Sequence, residues 1–100
     1  MIVERWTFPV KPQYQEAVVN ILKEEIEGNT VFTGSYRIYT PHIGPWDVVV
    51  VEWEYEDTQE LEAVWDAWFA KSGTPEYFEK WYELTRPGGH REVWQLATQR

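Results

Sequence analysis

Cysteine is absent from this sequence, and with it go disulfide staples, thiolate nucleophiles and thiolate-bound metals. Histidine is scarce, with only His42 and His90. Basic residues are outnumbered, nine Lys+Arg against 17 Asp+Glu, for a formal net charge of −8. A surface of that sign repels phosphate backbones and anionic lipid heads, so neither nucleic acid nor membrane is an expected partner. No apolar run approaches membrane-spanning length, and Met1-Ile2-Val3-Glu4-Arg5 lacks the basic start and long apolar stretch of a signal peptide. A cytoplasmic location is the expectation. A Ser-His-Asp set, a dinucleotide fingerprint and a metalloprotease helix are also missing. Gly88-Gly89 after Pro87 reads as a turn between a helix and a strand, not as a phosphate cradle.

What the chain has in excess is rings. Seven Trp, six Tyr and four Phe stand among 100 residues, more than a small core ordinarily needs, so some should line a cavity or an interface. Hydrophobic residues make up 43% of the chain, which supports a folded core and argues against disorder. One hundred residues make one domain, spanning 1–100. A domain so small buries a limited share of its surface and gains from association with a second copy.

The most informative stretch runs from Trp46 to Phe69. Val48-Val49-Val50-Val51 is β-branched at every position and favours a strand covered on both faces. The strand then alternates, with Val49, Val51, Trp53 and Tyr55 on one side and Val48, Val50, Glu52 and Glu54 on the other. Asp57 has N-cap chemistry, and Glu60 completes a capping box. Leu61, Val64, Trp65, Trp68 and Phe69 then fall on one helical stripe, which must meet the sheet.

The other elements follow in order. Ile2–Phe8 reads as a first strand, ended by Pro9, Lys11 and Pro12, with Pro12 suited to the first turn of a helix. That helix has the stripe Tyr14, Val18, Ile21, Leu22 and Ile26, and Gly28 closes it. Its polar face carries Glu16, Lys23, Glu24 and Glu27. Val31–Tyr39 reads as a second strand with a bulge at Gly34, and the Thr40–Pro45 connection leads to the third. Ser72-Gly73 breaks the second helix, and Thr74-Pro75 starts another with Thr74 as N-cap and Tyr77, Phe78, Trp81, Tyr82 and Thr85 in its stripe. His90–Ala97 is the last strand. The order β-α-β-β-α-(α)-β predicts an α+β fold, a ferredoxin-like antiparallel sheet with helices on one face. One layer of helices leaves the other face of a valine-rich sheet bare, and a second copy is the simplest cover.

Three patches carry a family resemblance: Ile2-Val3-Glu4 with Thr7, Trp53-x-Tyr55-x-Asp57 entering a helix, and Thr74-Pro75-Glu76-Tyr77-Phe78. Together they resemble NIPSNAP-type domains, which belong to the dimeric α+β barrel group with antibiotic-biosynthesis and haem-degrading monooxygenases. The resemblance implies a homodimer whose two four-stranded sheets form a barrel, and a hydrophobic or planar ligand between sheet and helices in some members. Haem-degrading relatives use a helix histidine with an asparagine and a tryptophan. The helices between Thr58 and Thr85 contain no histidine, so the resemblance does not extend to haem and no cofactor is expected.

Within this frame the candidate ligand-binding residues are Trp6, Phe8, Trp53, Trp65, Trp68, Trp81 and Trp94. Rings at helical spacing are core more often than not, and plain packing leads for Trp53 and Trp65. Glu4, on a strand face with Trp6 and Phe8, is a candidate general acid or base if desolvated, and the competing reading pairs it with Arg91 or water. His90 is the other candidate proton carrier. Neither it nor His42 has a ligand partner at metal spacing, and no metal site is expected. Glu52, Glu54 and Glu56 should pair with basic groups such as Arg37 and Arg91 or face water. Three functions stay open: a cofactor-independent monooxygenase or isomerase acting on a small hydrophobic or aromatic molecule, a non-catalytic binder of one, and a purely structural homodimer.

Overall fold

The structure, a computed structural model, describes residues 1–100. Strand β1 (Ile2–Pro9) is followed by helix α1 (Gln15–Glu27), strands β2 (Tyr36–Tyr39) and β3 (Val48–Tyr55), helices α2 (Thr58–Phe69) and α3 (Thr74–Leu84), and strand β4 (His90–Gln95). The four strands form one sheet in the order β2-β3-β1-β4, antiparallel throughout. This is the ferredoxin-like arrangement expected from the element order.

Register decides which side chains meet the helices. Ile2, Glu4, Trp6 and Phe8 lie opposite Tyr55, Trp53, Val51 and Val49, so all eight share one face. Every second residue of β3 is buried, Val49, Val51, Trp53 and Tyr55, in agreement with the alternation of its sequence. Two core clusters form on this face. Val10, Val18, Leu22, Val49 and Trp81 make one, and Ile26, Val51, Trp53, Tyr55 and Leu61 make the other. At the turn into α2, Asp57 accepts a hydrogen bond from the Glu60 N–H at 2.9 Å. The Glu60 carboxylate accepts in return from Glu56 N–H, one residue earlier than a strict capping box requires.

Four boundaries differ from the sequence reading, each for a local reason. Pro12 sits in a turn, Gln13 takes φ 72°, and α1 starts only at Gln15. Residues 31–35 are not ladder: Phe32 turns into the core, and Gly34 passes so close to β3 that a Cβ there would lie 2.8 Å from the Glu54 carbonyl oxygen. Gly34 is thus a point of close backbone approach rather than a bulge within a strand. Thr74 does not cap α3, because its hydroxyl donates to the Trp68 carbonyl at 2.7 Å and so ties α3 to the end of α2. Strand β4 ends at Gln95, although Leu96 N–H still reaches the Met1 carbonyl.

The reverse face of the sheet is less apolar than its valines suggest. Val48 and Val50 are half-buried there, but Arg5 pairs with Glu52 at 2.8 Å and Arg37 with Glu54 at 3.8 Å. Tyr39 also donates to Glu52 at 2.9 Å. Apolar and ion-paired zones lie side by side, and no helix covers either.

Candidate functional site

Between the sheet and the helices lies a partly open cavity of about 530 Å³. β1 supplies Trp6 and Phe8, β3 supplies Trp53, and Phe32 reaches in from the segment before β2. Trp65, Trp68 and Phe69 come from α2, and Tyr77, Phe78 and Trp81 from α3. The helical stripes and the strand alternation therefore converge on one space. Phe8 stacks on Trp6 at 5.6 Å and meets Trp81 edge-on at 4.6 Å. Trp65 stands edge-on to both Trp53 and Trp68, at 5.5 and 5.6 Å. These are the arrangements ring quadrupoles favour, and they hold the wall stiff.

Six of the seven expected ring residues line this cavity. Trp94 does not, and the expectation for it is corrected. Val3 lies opposite Trp94, which places its ring on the reverse face, 60% exposed, beside a second and more polar recess with Arg5, Arg37, Glu52 and Glu54. Period-2 alternation permits only one of Val93 and Trp94 to face the helices, and register selects Val93.

Glu4 is fully buried. Its Oε1 accepts from Trp65 Nε1 at 2.7 Å and from the Tyr55 hydroxyl at 3.2 Å, and its Oε2 from Arg91 Nε at 2.6 Å. The pairing with Arg91 is the one the sequence offered as the alternative to acid–base chemistry. Arg91 also lies 5.6 Å over the Trp6 ring. Glu4 is not a wall residue of the cavity; it positions Trp65 directly and Trp6 through Arg91. His90 sits opposite Thr7 on the reverse face and is exposed, so the structure does not bring Glu4 and His90 together. His42 is exposed in the β2–β3 connection.

Several wall residues, Phe32, Tyr77 and Phe78 among them, were not in the expected set, and Glu25 is the one carboxylate the sequence reading missed. Glu25 lines the cavity, and its Oε1 accepts from Lys71 Nζ at 2.8 Å, Trp68 Nε1 at 2.9 Å and Asn29 Nδ2 at 3.4 Å. Burial raises its pKa, but the hydrogen bonds from Lys71 and Trp68 and the Lys71 charge outweigh that and hold it below the ordinary carboxylate value. The signal was present: position 25 follows Ile21 by four and Leu22 by three, so it flanks the apolar stripe and not the polar face.

Two phenols report on the same interior. Burial, then the Glu4 charge, pushes Tyr55 well above the ordinary tyrosine value, and burial, then Glu25, does the same to Tyr77. A folded-state pKa above the unfolded one contributes stability that is complete below about pH 10 and lost as pH rises past it. Phenolate absorbance is therefore expected to rise in two steps, with Tyr55 and Tyr77 ionising only in the alkaline unfolding step recorded by circular dichroism. Full tyrosine ionisation before any loss of helix would contradict this.

The sequence model of the NIPSNAP family matches residues 4–88. Among curated proteins no sequence matches. By structure the chain is similar to a NIPSNAP domain protein from Burkholderia xenovorans, with TM-score 0.82, 18% identity, and 97% of this chain and 95% of that one covered. A protein from Agrobacterium tumefaciens is similar at TM-score 0.83 and 18% identity over 97% and 94% of the two chains. An antibiotic biosynthesis monooxygenase shares the fold at TM-score 0.70 and 15% identity, over 98% of this chain and all of that one. With a family match over most of its length and the fold in agreement, the chain belongs to the NIPSNAP family.

Proposed function

We propose that this chain acts as a homodimer in which each protomer holds a small hydrophobic or aromatic molecule between sheet and helices. The cavity of about 530 Å³ carries the reading, because its size suits a small molecule and thirteen of its nineteen lining residues are hydrophobic. A purely structural core would close such a space, since interiors pack to the density of organic crystals. The dimer is supported by the bare reverse face around Val48 and Val50 and by β4, every residue of which is exposed.

Binding is favoured over catalysis. A monooxygenase or isomerase needs a free proton carrier at the substrate; Glu4 has both oxygens engaged behind the ring wall, His90 lies across the sheet, and the wall carboxylate Glu25 is already taken by Lys71 and Trp68. The neighbour described as an antibiotic biosynthesis monooxygenase is 15% identical, a likeness that speaks to the fold alone. Native mass spectrometry of freshly purified protein tests the reading. We expect twice the chain mass with an extractable aromatic ligand, or stabilisation of about 2.7 kcal/mol by an added aromatic at a hundredfold its Kd. Monomer mass at micromolar concentration would remove the dimer. Failure of every planar aromatic probe to bind would remove the ligand.

A further inference from the structure

The cavity wall is mostly ring, and two of its polar atoms are left open. Lys71, Trp68 and Asn29 all bond to Glu25 Oε1, and no hydrogen bond reaches its Oε2. The Tyr77 hydroxyl has no partner either. The sealed donors without a partner are the indole nitrogens of Trp6 and Trp53; Glu25 Oε2 and the Tyr77 hydroxyl are not among such atoms, so both touch open space. Their residues line the cavity and meet on one ring. Trp68 donates to Glu25 at 2.9 Å and stands edge-on to Tyr77 at 5.4 Å. Burial first, then the Glu25 charge, pushes the Tyr77 phenol up, which puts the two groups within electrostatic reach. Tyr77 in turn stacks on Trp81 at 5.9 Å and meets Phe78 edge-on at 6.0 Å.

Resting on the reading of this cavity as a ligand site, we infer that its ligand carries a protonated amine, received by Glu25 Oε2 and the Tyr77 oxygen among ring faces. An ammonium offers only donors, and these two atoms offer lone pairs to it. Ring faces carry the negative lobe of the quadrupole and attract a cation. Glu25 titrates below the ordinary carboxylate value, so it takes no proton from an ammonium and serves as a counter-ion, not a base. The surrounding field has the same sign. Four acidic residues on α1 and three each on α2 and α3 stand against Lys23 and Lys80 alone, so the helical layer carries the whole net charge of −8. Two cations bear on the seat. Lys71 holds Oε1 at 2.8 Å through a side chain 36% exposed, which leaves Oε2 to a second cation and lets Lys71 turn to water. Arg86, the one cation of the wall, lies at the other end of the sheet. Its N–H bonds to the Pro9 carbonyl there, whereas Ile26, next to Glu25, packs with Trp53 and Tyr55.

Three naphthalenes of nearly one shape test this: 2-(aminomethyl)naphthalene, 2-naphthalenemethanol and 2-naphthoate, which are cationic, neutral and anionic at neutral pH. Calorimetry on the wild-type chain is expected to show the amine bound about tenfold more tightly than the alcohol, with the carboxylate weakest. Glu25→Gln should bring the amine level with the alcohol and leave the alcohol where it was. Glutamine still accepts from the Trp68 N–H, so the helices stay tied. Lys71→Met removes the competing cation and should tighten the amine about threefold or more without moving the alcohol. Should Glu25→Gln fail to fold, Lys71→Met decides, and an unchanged amine affinity there overturns the inference. Equal binding of amine and alcohol to the wild-type chain, or an amine preference that survives Glu25→Gln, overturns it and leaves the apolar site intact. Tightest binding of the carboxylate also overturns it and assigns the polar end of the ligand to Arg86. Binding of none of the three overturns the inference together with the ligand reading beneath it.

Discussion

Arg91→Met should destabilise the fold by about 3 kcal/mol, and adding Glu4→Gln should recover a good part of that loss. Glu4 is fully buried, and Arg91 provides the only opposite charge bonded to it. Removing one partner of a buried pair costs roughly 3–5 kcal/mol because the remaining charge is stranded. The low end applies here, since Arg91 is 43% exposed and water screens the pair on that side. For a domain of this length the change corresponds to a fall in Tm of roughly 10–20 °C. In the double variant a glutamine oxygen still accepts from Trp65 and Tyr55, but nothing charged is left in the interior. Glu4→Ala is a different lesion: it strands those two donors at about 1–3 kcal/mol each, while Arg91 turns to water. Urea denaturation of wild type, Arg91→Met, Glu4→Gln and the double variant closes the cycle. An Arg91→Met variant within about 0.5 kcal/mol of wild type, the range of an ordinary surface change, would mean that the pair does not hold the carboxylate in place.

That pairing was legible in the sequence as one of two fates for Glu4, and the reason is general. A carboxylate on an apolar strand face needs a cation, and few cations are present. The β3–α2 unit was equally legible, because valine runs, strict alternation, an Asp cap and a five-residue stripe all favour the same local structure. What escaped depends on register or on distant partners. Trp94 and Val93 are both apolar neighbours, and only the pairing of β4 with β1 tells which faces the helices. The Val31–Ser35 segment alternates like a strand, yet Phe32 satisfies its pattern by packing on Trp53 instead of extending a ladder. Thr74 has cap chemistry, but its hydroxyl meets a carbonyl of the preceding helix first. On the reverse face the pairing of Arg37 with a strand glutamate was legible, but Glu52 takes Arg5 as its partner, because register puts Arg91 on the helix side with Glu4. The orphaned Trp6 and Trp53 donors had no sequence signal, since a tryptophan with a partner and one without read alike.

Val50→Glu should dissociate the proposed dimer while Val51→Glu, one residue on, should prevent folding. The two side chains point to opposite faces of β3. Val51 is fully buried in the core beside Trp53 and Ile26, and an unpaired carboxylate there has neither water nor a cation. Val50 is half-buried on the reverse face, opposite Thr7 on one side and Tyr39 on the other. In a lone protomer a glutamate at 50 reaches solvent, so helix content and cavity should persist. Against a second sheet it is desolvated and lies two positions from Glu52, on the same face, so repulsion adds to the burial cost. The dimer dissociation constant should rise by about a hundredfold, equivalent to about 2.7 kcal/mol, as read by light scattering or sedimentation across a concentration series. The ion pairs Arg5–Glu52 and Arg37–Glu54 sharpen the test, because a two-fold interface repeats each contact and a single added charge acts twice. A Val50→Glu protein with unchanged subunit mass would place any interface elsewhere, with the β4 edge and its exposed Val93 and Trp94 the next surface to alter.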